Sequence, residues 1–511
     1  MIRGAGAAGR APLLSETLFG ALLFVVALAP RLYVALAWAG EPVWDGHYYD
    51  FGARRIAEGF GYSDDRAIPG GLVWHPWCHY PVGYSGFLAF FYRWLGSSHA
   101  VAGVADALTG AALAVVTWSL ARHALSPGRA RVAGLLVALH PGLILYAALV
   151  MSEPLAALLT LTAFWLCVRD VRPVRGLVAG ALTLGVAALV RPQALLCAPF
   201  LAGPAARGWK ARAGAAACAC ALALALVPVI PWTVRNCRVM DGCALVSTNA
   251  GWNLAIGAFP RATGRFETLR SSDGCRDVTG QVEQDRCWMR YGLGQIVARP
   301  WHWIALVPAK LGFTFDHESF AVEYLHESRP DDWPPERREH GREVTTFAHR
   351  LLLAAASLGA VAFPFAFGRR RQGMRRDERR GELTQGALLF VAAGLGLVGI
   401  SGDSPTLWPV AIFASVVPLV PLPGRPPVAE AMRLGVVLLA TTALTHAVFF
   451  GEDRYHLVIT PVLAILAAAA LRAPERIHAP VHARARDGDH EGDRDREGDR
   501  ERDHERDHDP S

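Results

Sequence analysis

The stretch LFGALLFVVALAPRLYVALAWAGEPVWDGHYYDFGARRIAEGFGY, residues 18 to 62, decides the class of fold. Its first half, Leu18 to Trp38, matches the roughly 20 apolar residues that a helix needs to cross a bilayer. Its second half is polar, aromatic and glycine-rich. Arg3 and Arg10 precede the apolar run and few charges directly follow it. The positive-inside rule then puts the N-terminus in the cytoplasm and the chain from Glu41 outside. No small-residue cleavage site precedes Trp44, so the run reads as a retained span rather than a signal peptide.

The rest of the chain repeats this alternation. Its 511 residues are 52% hydrophobic and only 19% charged, where soluble domains carry about a quarter, and the mean hydropathy is +0.25. Much of the charge is concentrated in the last thirty or so residues. A net charge of +6 so scattered excludes a nucleic-acid partner and makes arginine placement a report on orientation instead.

The nine cysteines form no CxxC pair and no Cys/His spacing, so no zinc site is expected from them. Cys167, Cys197, Cys218 and Cys220 fall in apolar runs and read as small buried hydrophobes. Cys237, Cys243, Cys275 and Cys287 lie in a polar stretch; if it faces an oxidising compartment, disulfides are permitted in any of three connectivities.

Counting apolar runs and orienting each by its arginines gives about twelve spans with both termini inside. Spans run from 100 to 120, 132 to 150, 155 to 168, 176 to 190, 194 onward, 213 to 230, 345 to 367, near 384–400 and 405–421, 432 to 450 and 457 to 471. Two shorter runs, Pro81 to Leu95 and Trp301 to Phe313, are read as interfacial helices. This reading places the Arg369–Arg380 cluster inside. The expected fold is therefore an all-α polytopic membrane protein over residues 1–472, with external segments at 41–98 and 235–343. Residues 473–511 form a charged cytoplasmic tail with nothing apolar to bury, expected to be disordered.

On the outer side, span ends deliver two carboxylates, Asp45 and Glu153, and the cations Arg54, Arg55, Arg191, Arg235 and Arg454, with His79 and His456. Ionisable groups near a bilayer are costly unless they find partners or a function. A carboxylate can take a proton from a hydroxyl nucleophile, and guanidiniums hold phosphate bidentately. Any one of these arginines could equally be a head-group contact. Their convergence on one side is what points to chemistry on a polyanionic lipid head group.

Several stretches carry a family resemblance: VWDGHYYDFGARRIAEGFGY (43–62), HYPVGYSGFLAFFY (79–92), LHPGLILYAALVMSEP (139–154), ALVRPQALL (188–196), PWTVRN (231–236) and EDRYHLVITPVLAIL (452–466). In order and spacing they resemble the GT-C glycosyltransferases that include protein O-mannosyltransferases and the lipid A aminoarabinose transferase. The resemblance implies a GT-C-like helical bundle in the cell (inner) membrane. It implies transfer of a hexose or pentose from a polyprenyl-phosphate donor to a lipid, protein or glycan acceptor on the extracytoplasmic face, with inversion. Carried over residue by residue, Asp45 is the general base and Glu153 the second carboxylate, assisting it or sharing a divalent ion with it; no other cofactor is implied. Arg191, Arg235 and Arg454 are the phosphate ligands, and Arg54, Tyr80, Tyr455 and His456 complete the substrate-binding set. His79 stands where some relatives have a lysine. Gly46 stands where many protein mannosyltransferases have a second acidic residue, which departs from that subfamily. The alternative is a transporter or flippase of lipid-linked envelope precursors, against which stands the lack of an internal repeat; a non-catalytic scaffold would have no need of Asp45.

Overall fold

The computed structural model describes residues 13–170, 172–203, 211–368 and 428–471, with short pieces between 387 and 408. The chain divides into a compact unit, Met1–Leu471, and the segment Arg472–Ser511. The tail expected at 473–511, the Arg369–Arg380 cluster and most of the spans expected near 384–400 and 405–421 lie outside the described residues.

The fold is that of a polytopic helical membrane protein. Among the described residues, five helices are long and apolar enough to cross a bilayer: Ser15–Ala37, His99–Ala121, Pro173–Val190, Pro335–Val361 and Glu430–Val448. Two further pairs, Pro127–Ala138 with Pro141–Ala148 and Arg212–Leu226 with Ile230–Val239, bend by 53° and 56° at short breaks and bring the number to seven. Two of the twelve expected spans fall mostly outside the described residues, so the count of twelve is not tested; two other expected spans come out short at proline. It lacks the N–H that would continue a helix. Pro192 and Pro199 reduce the run after Arg191 to an 11-residue 3-10 helix, Pro192–Ala202. Pro461 delays the last helix, Thr460–Ala469, to 10 residues. The Glu153–Arg169 helix has 17 residues. Of the runs read as interfacial, Val82–Leu95 is 14 residues long and the other is divided into Pro300–Ala305 and Val307–Phe315, none long enough to span.

One break shows how its cost is met. In the last turn of the helix Pro127–Ala138, the i+4 donor for the Val137 carbonyl would be Pro141, which has no N–H. Arg31, fully buried inside the first span, supplies the missing donors: Nη2 to Val137 O at 2.9 Å and Nη1 to Ala138 O at 2.7 Å. Backbone groups away from water must be satisfied in this way. Close helix contacts rest on small residues; a Cβ on Gly180 would lie 2.7 Å from Ala163 O across the Glu153–Arg169 and Pro173–Val190 pair.

The segment 41–98 is more structured than the loop-plus-helix expected from sequence. It contains the helix Asp45–Ala57 and an antiparallel hairpin, Ser63–Ile68 with Gly71–Pro76, in the register Ser63↔Pro76 to Ile68↔Gly71. Pro69 and Gly70 make the turn, Gly70 at φ 104°. Arg55 anchors the hairpin to the helix by a bidentate pair with Asp65 at 2.9 Å.

The cysteines of 235–343 resolve into Cys237–Cys243 and Cys275–Cys287. Cys167 and Cys197 are buried as expected, whereas Cys218 is half-buried against the core and Cys220, two residues on and so on the opposite side of the helix, is exposed.

Candidate active site

The site assembles where the Asp45–Ala57 helix, the start of the Glu153–Arg169 helix, the end of Pro173–Val190 and the turn Asp453–Val458 meet. Asp45 is the first residue of its helix, where a carboxylate is favoured by the unpaired N–H groups. The preceding Trp44 has φ 51°, the sole non-glycine residue with positive φ among the described residues. Its indole is held against Phe320 and Tyr324, at 5.5 and 5.8 Å between ring centroids. Such a backbone costs on the order of 1–3 kcal/mol and persists only where packing enforces it. Here it aims Asp45.

The Asp45 carboxylate accepts from the Tyr80 hydroxyl at 2.7 Å and from Arg454 Nη1 at 2.6 Å. Burial alone would raise its pKa. Arg454, Tyr80 and more distant Arg191 outweigh that and hold the carboxyl below its usual range. Asp45 is therefore ionised at neutral pH while its side chain stays 23% exposed.

Arg454 reaches further. Nη2 donates to the Tyr455 hydroxyl at 3.3 Å, and Nε pairs with Glu452 Oε2 at 2.6 Å. Burial nonetheless prevails at Glu452: against the opposing charge of Arg454, and reinforced by Asp453 and Asp45, it pushes that carboxyl up to about 7.

Glu153 is fully buried and pairs with Arg191 Nη2, while Arg191 Nε donates to Ser152 Oγ at 3.2 Å. The second Glu153 oxygen has no hydrogen-bond partner among the described residues. Both guanidiniums lie against the Tyr455 ring, Arg191 at 5.5 Å and Arg454 at 5.0 Å, and His446 stacks parallel to that ring at 4.1 Å. A narrow cleft leads away from this point, walled by Ala156, Thr160, Ala194, Leu438, Thr442 and Val458 and bordered by Arg191 and Tyr455.

Tyr80 also belongs to an aromatic shelf, with Tyr48 stacked on both Tyr80 and Trp77. His79 packs edge-on against Tyr80 and Trp252. Burial lowers its pKa and Asp45 opposes this only in part, so the imidazole is neutral near pH 7. It is not a substitute for a lysine charge. Gly46 has its own physical reason. A Cβ there would collide with the Tyr324 hydroxyl and the Val150 carbonyl, which leaves no room for a second acidic side chain.

Asp45, Glu153, Tyr80, Arg191, Arg454 and Tyr455 are thus brought together. Three of the expected ligands are not. Arg54 pairs with Asp50 one turn back at 2.7 Å, and Asp50 also accepts from Tyr92. Arg235 donates to the carbonyls of Tyr62 at 2.7 Å and Trp77 at 2.9 Å, so it fastens the first loop. His456 points into a separate buried cluster with Glu318 and His349. Asp45 and Glu153 are each engaged by an arginine, and no group of three metal-capable side chains includes either of them among the described residues. Glu452, Ser152 and the Tyr48–Trp77 shelf were not expected from sequence; the EDRYH run at 452–456 was the available signal for Glu452.

No family model matches the chain and no curated protein does. Similar solved structures include the oligosaccharyltransferase of Archaeoglobus fulgidus tethered to an acceptor peptide containing the NVT sequon: 12% identity, TM-score 0.40, over 88% of this chain and 55% of that one. The same organism's AglB with an inhibitory peptide and a dolichol-phosphate matches at 12% and 0.36, over 86% and 57%. ArnT from Cupriavidus metallidurans bound to undecaprenyl phosphate matches at 16% and 0.35, over 88% and 78%. The chain spans little more than half the length of the archaeal enzymes. At such scores the likeness is one of coarse helical arrangement and says nothing about chemistry.

Proposed function

We propose that the chain is a membrane glycosyltransferase that moves a sugar from a polyprenyl-phosphate donor to a hydroxyl acceptor on the extracytoplasmic face. One observation carries this reading: an ionised carboxylate, Asp45, pairs with Arg454, whose guanidinium shares the Tyr455 ring with Arg191 beside a narrow cleft. Ala156, Ala194, Leu438 and Val458 in that cleft suit the start of a polyprenyl chain, and the arginines suit its phosphate. The Tyr48–Trp77–Tyr80 shelf offers ring faces for a sugar.

In the reaction, Asp45 accepts the proton of the acceptor hydroxyl while that oxygen forms its bond to the anomeric carbon. The bond from that carbon to the phosphate oxygen breaks on the opposite side, and the phosphate leaves with the electron pair. One displacement inverts the centre. Arg454 and Arg191 stabilise the phosphate charge as it develops. Because Arg454 binds Asp45 in the absence of donor, an arriving phosphate draws part of that guanidinium away and makes Asp45 a stronger base once donor is present. Glu153, buried and paired, positions Arg191.

The test is binding of undecaprenyl phosphate to the purified full-length protein. Arg191→Gln and Arg454→Gln should each weaken it by about tenfold or more, the loss of one charge-assisted contact. Wild-type protein that does not bind the lipid, or variants that bind it equally well, would overturn the assignment. The transporter alternative gains no support from this site, since its charges gather at helix ends around one cleft.

A further inference from the structure

A second cluster lies apart from Asp45 and takes no part in the proposed reaction. His140, Glu318, His349 and His456 come from four separate segments and are all at least nine-tenths buried. His140 sits at the break between the helices Pro127–Ala138 and Pro141–Leu145; Glu318 follows Val307–Phe315; His349 lies in the helix Pro335–Gly368; His456 is in the turn carrying Arg454 and Tyr455.

The hydrogen bonds fix which nitrogens carry protons. His349 Nε2 donates to Phe315 O at 2.9 Å, and His456 Nδ1 donates to Thr314 O at 2.8 Å. A carbonyl can only accept, so in the neutral rings the opposite nitrogens, His349 Nδ1 and His456 Nε2, present lone pairs. Both face Glu318 Oε2, at 3.6 and 3.2 Å. His456 Nε2 is hydrogen-bonded to that oxygen, whereas His349 Nδ1 stands beyond hydrogen-bond reach of it. His140 Nε2 stands 3.8 Å from the same oxygen. Among the described residues, His140 Nε2, His349 Nδ1 and Glu318 Oε1 have no hydrogen-bond partner.

Buried polar atoms that converge without partners suit a cation among them. The spacing says which kind. Ligands at 2.0–2.1 Å around a tetrahedral ion stand about 3.3 Å apart; His349 Nδ1 and His140 Nε2, at 3.6 and 3.8 Å from Glu318 Oε2, are near that value and beyond hydrogen-bond reach. The ligand atoms of His140, Glu318 and His349 all lie within 4.8 Å of one another. Imidazole and carboxylate together suit zinc. Ligating histidines usually donate their other N–H to a backbone carbonyl, as His349 does.

We propose that Glu318, His349 and His140 bind a Zn2+ ion that ties together the three segments carrying them, with His456 joining the Arg454–Tyr455 turn to the site through Glu318. His140 joins by giving up the weak 3.4 Å contact that its Nδ1 accepts from Leu143 N–H. The inference stands whether or not the proposed transfer reaction is correct.

The experiment is elemental analysis of the full-length protein, purified in detergent and equilibrated with zinc. Wild type should retain about one zinc per chain. Glu318→Gln and His349→Ala should fall to background while eluting and giving circular dichroism as wild type does. Exchange with Co2+ should give wild type the intense visible absorption of a tetrahedral site. Zinc-free wild type overturns the proposal. So does zinc that stays in both variants, which would locate it on the histidines of residues 478–508. If the variants fail to fold, weak octahedral Co2+ bands in wild type overturn it equally.

Discussion

Replacing Tyr80 by phenylalanine removes one hydrogen bond from Asp45 and nothing else of comparable size. The lost contact is a 2.7 Å bond from a neutral hydroxyl to an ionised carboxylate. Bonds of this kind contribute roughly 1.5–3 kcal/mol, and each pKa unit corresponds to about 1.4 kcal/mol. With the Asp45 side chain 23% exposed, solvent takes over part of the role, so the lower end of that range applies and the Asp45 pKa moves upward. The sign follows from the direction of the native perturbation. Asp45 is held low, its base form is populated above that pKa, and losing Tyr80 moves the acid limb to higher pH. Arg454 still pairs with Asp45, so the rate at neutral pH should change only a few-fold. The assay is the pH–rate profile of sugar transfer from whichever undecaprenyl-phosphate donor wild type turns over. An unmoved acid limb refutes Asp45 as the titrating base. Loss of activity at every pH makes Tyr80 itself a reacting group.

Arg191→Ala should destabilise the fold by about 3–5 kcal/mol, because it leaves the buried Glu153 charge unpaired; adding Glu153→Gln should recover most of that in thermal unfolding. Ala194→Trp fills the cleft beside Arg191 and should weaken undecaprenyl phosphate binding at least about tenfold, with overpacking costing roughly 1–3 kcal/mol of stability. Peptide mapping without reductant should recover Cys237–Cys243 and Cys275–Cys287 as pairs and Cys78 as a free thiol. Closing the 12-residue separation of the second pair contributes about 3 kcal/mol in the chain-entropy account, so its reduction should lower the unfolding temperature.

The helical, many-span character was legible because apolar length and arginine flanks report directly on the bilayer. Where each span ends was less legible, because a proline inside an apolar run can end a helix or merely bend it. Pro141 bends one pair by 53°, with Arg31 as the compensation that no local pattern announces. At the site, Asp45, Glu153, Arg191 and Arg454 were legible as charges at span ends. Arg54, Arg235 and His456 have the same sequence appearance and other partners: a carboxylate one turn away, two loop carbonyls, and a glutamate 138 residues distant. Only tertiary contact separates those cases. Buried Asp106 within the His99–Ala121 span, bonded to the Tyr84 hydroxyl at 2.7 Å, belongs with them. The hairpin had a readable signal, Pro69–Gly70 between two short runs, that the surrounding polar composition obscured.

The most direct test of the central claim is Asp45→Asn in the reconstituted full-length protein. Turnover is followed as polyprenyl phosphate released from a panel of undecaprenyl-phosphate-linked hexoses and pentoses, beside binding of undecaprenyl phosphate alone. Wild type should turn over at least one donor. The variant should bind the lipid and lose turnover by about a hundredfold or more, the range for a general base. Undiminished turnover by Asp45→Asn, or a wild type that binds the lipid and turns over none of these donors, would contradict the account.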